Sequence, residues 1–284
     1  MSFGETIGLG ALAGFTIFIG LPAGRLQLLG TRTRVGLAMF SVGILAFIFV
    51  DVLSSGLTIV HSALDQVKHH TGSVGYLILL VALLAGGFLA GSSGLAGLER
   101  RLRPRTPPMA GGAGAAAATA SEAEALANEL DVARRRTLRM CLTIAGAIGI
   151  HNFGEGLAIG VSARAGAISL ATVLIIGFAL HNATEGFGIV GPLGAVRPSW
   201  GWLGLAGLIG GGPTFLGTLV GYSITSQALE VAFYAIAGGA IIYVIGEIWN
   251  AMRRYGHREL GLLMLSAGFL LGVITDLIVK YGGG

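Results

Sequence analysis

The chain alternates long apolar stretches with short polar breaks. Eight apolar runs are long enough to cross a bilayer as helices, at roughly 5–24, 35–58, 74–98, 137–162, 167–190, 202–222, 229–251 and 260–281. About 20 helical residues, rising 1.5 Å each, cover the ~30 Å of hydrocarbon. The pattern predicts an all-α membrane protein, one transmembrane domain over 1–284. The loops around the fifth, sixth and seventh runs are short and weakly polar. The first run follows no positive segment and no cleavage site, so it reads as a retained helix and not a signal peptide.

The basic residues set the orientation. With the N-terminus outside, the arginines at 25–34, 100–105, 134–139, 197 and 253–258 all face the cytoplasm. Only Lys68, Arg164 and Lys280 of the 18 basic residues fall on the other side. Such a bias marks the inner face. The expectation is a multi-pass protein of the cell's plasma (inner) membrane with both termini outside. One connection, 99–136, is long. Its low-complexity stretch Gly111–Ala118 is expected to be mobile. Ser121 and Glu124 form a capping-box pattern, and 122–136 reads as a cytoplasmic helix leading into the fourth run.

Composition narrows the class. Hydrophobic residues make up 54% and charged residues 11%, with 49 glycines. An average soluble domain carries about 25% charged residues. Lipid contact removes the need for them, and glycine lets membrane helices approach closely. The net charge of +4 comes from loop arginines with no stacking platform, so a nucleic-acid partner is excluded. Cys141 is the single cysteine, which rules out a disulfide within the chain and a cysteine metal site.

Against this apolar background two polar patches share one pattern. The fourth run contains His151-Asn152-Phe153-Gly154-Glu155-Gly156, and the fifth contains His181-Asn182-Ala183-Thr184-Glu185-Gly186. His and Glu at i and i+4 share a helix face. Each motif begins about 14 residues into its run, near the bilayer middle. Two antiparallel helices would then face each other with two imidazoles and two carboxylates, the inverted-repeat logic of secondary transporters. That set suits Zn(II), Fe(II), Mn(II), Co(II) or Ni(II). Ionisable groups at this depth handle ions far more often than they glue helices.

These residues resemble the ZIP (Zrt- and Irt-like) family of metal transporters. The resemblance implies a bundle of eight helices with an inverted-repeat central pair, a variable loop after the third, and no enzyme activity. It implies uptake of a divalent ion, zinc first among them, toward the cytoplasm. Three departures stand out. Gly154 and Thr184 replace the family's usual prolines. Gly212, before Pro213, stands where a family glutamate helps hold a second metal. Asn182 stands where Asp is frequent. The reading is a degenerate second site and a single-metal centre of His151, Glu155, His181 and Glu185, with Asn152 and Asn182 as flanking oxygens. No cofactor beyond the transported ion is expected.

Asp51, Asp276 and Glu247 are pathway candidates, the first two toward the outside. His61, His69 and His70 near the second outer loop, and His257 inside, read as solvated. An intramembrane metal-dependent hydrolase and a metal-gated channel or sensor are the alternatives, though no His-Glu-x-x-His is present. Partners are the ion and the lipid bilayer, with a homodimer left open.

Overall fold

The computed structural model describes residues 2–26, 30–102, 120–164, 168–223 and 226–283. Among them no strand occurs, and ten α-helices follow in order: α1 Phe3–Phe15, α2 Ala23–Leu26, α3 Thr31–Lys68, α4 Val74–Leu89, α5 Leu95–Leu102, α6 Ala120–Arg164, α7 Ile168–Val190, α8 Trp200–Ser223, α9 Gln227–Met252 and α10 Arg258–Gly283. By length and apolarity, seven candidate spans occur among the described residues: Phe3–Leu26, Thr31–Lys68, Val74–Arg101, Leu126–Arg164, Trp200–Ser223, Gln227–Tyr255 and Arg258–Ile278. The chain is a multi-pass membrane protein. The remaining expected run, 167–190, is the 23-residue helix α7. The stretch Gly111–Ala118 lies outside the described residues, as do the side chains of Ser121 and Glu124.

Several bounds differ from the sequence pattern, each for a local reason. The first span is interrupted. α1, capped by Ser2 and Glu5, stops at Phe15, and Thr16–Ile19 forms a tighter 3-10 turn. Pro22, which lacks an N–H and disfavours helix at Leu21, keeps regular α-helix from resuming directly after this turn. The second span overshoots. α3 has 38 residues, about 57 Å, because no breaker follows residue 58. It ends at His69 and His70, the latter in the left-handed region at φ 57°, while the amides of Thr71 and Gly72 turn back to the Gln66 carbonyl. The third span runs from α4 into α5 through a π-turn at Ala90–Gly94. The fourth continues unbroken from residue 120 into the bundle.

The helices associate in two groups. α1, α6, α7 and α8 pack on one another; α3, α4, α9 and α10 form the second set. Inside each group, glycine brings backbone against backbone. A Cβ on Gly156, Gly160 or Gly217 would collide with a carbonyl oxygen of the facing helix in the α6–α8 pair. The same holds at Gly43 and Gly268 between α3 and α10, and at Gly91 and Gly239 where the third span meets α9. Across the seam between groups the neighbours are side chains. Gly154 faces the Ala237 methyl at 3.5 Å, Gly188 faces Ile248 at 3.3 Å and Gly191 faces the Ala38 methyl at 2.9 Å, each measured from the Cβ position. Small residues thus weld each group, while side-chain packing joins the two.

Candidate metal centre

α6 and α7 bring both polar motifs to one buried point. Glu155 Oε1 lies 2.9 Å from His151 Nε2 and 2.5 Å from His181 Nε2. His151 Nε2 is 3.8 Å from Glu185 Oε1. The imidazole rings are tilted by 32° with centroids 6.4 Å apart. His151, Asn152, Glu155, Asn182 and Glu185 are buried; His181 keeps slight exposure. One ligand atom each from His151, Glu155 and His181 falls within 4.8 Å of the others. Among the described residues this is the one such group of three.

The arrangement is less symmetric than two facing copies would be. Glu155 touches both imidazoles, whereas Glu185 is drawn aside. Asn152 Nδ2 donates to Glu185 Oε2 at 3.2 Å and to the Gly210 carbonyl at 2.9 Å. Asn152 therefore ties α6 to α7 and α8. Asn182 Nδ2 donates to the Ala13 carbonyl at 3.2 Å. That carbonyl ends α1, where the 3-10 turn removes the regular helical donor, and Thr16 Oγ1 also reaches it at 2.6 Å. Asn182 thus holds the interrupted first span against α7. Gly20 and Gly186 complete this contact, since a Cβ on either would strike the other's backbone.

The two positions that lack proline are bridged differently. α6 passes through Gly154 without a break. Thr184 Oγ1 donates to the His181 carbonyl at 2.7 Å, and Ser41 Oγ of α3 donates to the Thr184 carbonyl at 2.6 Å. Ser41 is a contributor that sequence reasoning missed. Its one signal is a hydroxyl inside the apolar second run.

Several buried polar atoms here have no hydrogen-bond partner: both nitrogens of His151, Glu155 Oε2, Glu185 Oε1, Asn152 Oδ1 and Asn182 Oδ1. His151 Nε2 is near Glu155 in distance but not aligned as a donor to it. Buried lone pairs without donors are costly, at about 1–3 kcal/mol each. A cation at their convergence is the chemistry that relieves them. The donor set, imidazole nitrogen plus carboxylate oxygen, fits a borderline transition metal.

The remaining candidates sit apart. Asp51 is exposed on α3 yet lies within electrostatic reach of His181. Asp276 on α10 and Glu247 on α9 are half-buried and outside the group of three. Glu230, half-buried in the first turn of α9, lies with Asp51 within electrostatic reach of the half-buried Tyr234. It was missed because an acid near a helix start resembles a dipole partner. His61, His69, His70 and His257 are exposed. A Cβ at Gly212 would meet nothing within 4 Å.

No family model matches the chain. Two curated relatives do, both named zinc transporter ZupT. The protein from Corynebacterium glutamicum is 27% identical, over 93% of this chain and 97% of its own length. The protein from Clostridium perfringens is 29% identical, over 52% of this chain and 53% of its own. The chain is similar to zinc transporters. The similarity to the first covers nearly the whole length of both chains. It is a similarity to transport proteins and not to enzymes.

Proposed function

We propose that this chain is a ZIP-type carrier that moves a divalent transition-metal ion, zinc first among them, toward the cytoplasm. Its site is His151, Glu155, His181 and Glu185, on α6 and α7 near the bilayer middle. The observation that carries the reading is the buried convergence of both imidazoles on Glu155, ringed by oxygens that lack donors. Two carboxylates offset the charge of the dication, so the loaded site is nearly neutral in a region where net charge is expensive. The ZupT similarity over nearly the whole length supports the same reading.

The two helix groups supply a means of alternating access. All four ligands ride on the group of α1, α6, α7 and α8, which is welded by backbone contacts. The seam to the other group consists of side-chain packing and polar contacts such as Arg34 Nη1 to the Gly194 carbonyl. Movement of one group against the other would carry the ion between two openings without dismantling its ligands. Asp51 and Glu230 mark the outer approach, Glu247 the inner one, and Asp276 a further outer acid.

Proteoliposomes loaded with a zinc-sensitive dye test the carrier. Saturable zinc influx is expected, with His181→Ala reducing it at least about 100-fold. Tight binding without flux in the unaltered protein would overturn the carrier and favour a sensor or an intramembrane hydrolase.

Occupancy is a second expectation. Asn182 spends its amide on Ala13, and residue 212 offers no carboxylate, so the purified protein should hold one metal per chain. A Cβ at residue 212 meets nothing within 4 Å, and Gly212→Glu should raise the number toward two. Two metals per chain in the unaltered protein would contradict the single-metal site.

A further inference from the structure

α3 and α10 run parallel. Gly36 faces Leu260 and Met264, Gly43 faces Leu265 and Gly268 faces Phe40. Both helices therefore begin at the same end of the bundle, side by side. Between their first turns lies an open cleft of about 490 Å³, lined by Arg32, His257, Arg258, Glu259, Leu260 and Leu262. Arg32 and Arg258 are exposed, and among the described residues neither has a hydrogen bond or ion pair. The first buried positions above them are Val35 and Gly261. Each arginine thus sits three residues, about 4.5 Å along its helix, before the first buried position, in the first turn of a candidate membrane span.

We propose that this cleft binds the phosphate of an anionic phospholipid from the inner leaflet. Arg32 and Arg258 grip its oxygens from two sides, with the paired donors that make arginine suited to phosphate. Amides of residues 31–33 and 258–260, which precede the first helical acceptors, point the same way and add positive potential. Glu259 accepts from hydroxyls of a headgroup such as glycerol and disfavours a bare, more highly charged anion. A lipid, and not a free phosphate, is indicated by what adjoins the cleft. Leu262 leads onto an exposed apolar stripe of α10 at Leu263, Leu270, Ile274, Leu277 and Ile278. Acyl chains can lie along it while the headgroup occupies the cleft. The proposal rests on the inward placement of these helix ends, but not on transport. α3 and α10 belong to the group without metal ligands, so the lipid would tie that group to the inner leaflet.

Native mass spectrometry of the full-length protein in mild detergent tests it, comparing phosphatidylglycerol with phosphatidylcholine of matched chains. The unaltered protein should retain the anionic lipid about tenfold more. Arg32→Gln with Arg258→Gln should bring retention down to the phosphatidylcholine level, and Arg253→Gln with Arg254→Gln, outside the cleft, should leave it high. Elution profile and melting temperature check that both variants fold; should the first pair not fold, Arg258→Gln alone should halve the preference or more. Unchanged preference in the cleft variants, or equal loss in both pairs, overturns the proposal. Displacement of the lipid by millimolar inorganic phosphate or glycerol phosphate overturns it in favour of a soluble anion. Because no transport is read, these outcomes are independent of the carrier assay.

Discussion

Glu155→Ala should abolish zinc uptake into proteoliposomes and weaken zinc binding at least about 100-fold. Glu155 Oε1 is the single oxygen in contact with both imidazole nitrogens. Removing it deletes a ligand and leaves two buried histidines without the charge that balances a dication. Loss of a group that merely orients a ligand costs about 10–100-fold in affinity, so a direct ligand should exceed that. Glu155→Gln separates charge from shape: it keeps the volume, and should be nearly as damaging because the carboxylate's charge is gone. Glu185→Ala should be milder than Glu155→Ala, since Glu185 stands 3.8 Å from His151 and its other oxygen already accepts from Asn152. Calorimetry on the three variants ranks them. A larger effect at Glu185 than at Glu155 would refute the asymmetric site.

The second large effect is expected far from any ligand. Gly217→Val should lower the melting temperature in detergent by about 6–12 °C. A Cβ there would be driven into the Phe153 carbonyl and the amide of Leu157. Backbone cannot yield as a rotamer can, so α8 must separate from α6. Overpacking costs about 1–3 kcal/mol in ordinary cores, and a collision with backbone belongs at the upper end. For a domain of this size each kcal/mol is worth about 2–4 °C. Phe153 lies between His151 and Glu155, so the displacement should also spoil metal binding. Gly212→Ala on the same helix is the control. With nothing within 4 Å of its Cβ position, it should melt within a degree or two of the unaltered protein. Differential scanning fluorimetry in one detergent reads both.

Much of this architecture is legible in the residues because the bilayer is a simple solvent. It demands helices of a fixed minimum length, and it makes buried polar groups conspicuous. The apolar runs, the His/Glu spacing and the thirty-residue repeat of the motif follow from those two demands. Helix ends that do not depend on lipid were harder to read. α3 passes residue 58 because nothing in Thr58–Lys68 stops a helix, and leaving the hydrocarbon does not unwind one. Pro22 marks the end of the broken stretch, but the use of the break at Thr16–Ile19 is not visible: the Ala13 carbonyl meets Asn182 only after the chain folds. Asn152 is similar. Its motif position marks it as a neighbour of the metal, yet its amide is engaged by Glu185 and by a backbone carbonyl of α8. Carbonyl partners carry no side-chain signature, so a sequence cannot announce them. The two motifs depart from strict twofold symmetry because their asparagines meet different partners, Asn152 the Glu185 carboxylate and the Gly210 carbonyl, Asn182 the Ala13 carbonyl.

Cys141 has a practical consequence. It is the chain's one thiol and it is fully buried in α6. Maleimide reagents dissolved in water should find no target on the folded protein. The native sequence is therefore already a silent background for single-cysteine labelling, and no residue near the metal-bearing helices needs to be replaced first. A reporter thiol at the exposed His70 and another at the exposed Arg254 would read the two ends of the bundle separately.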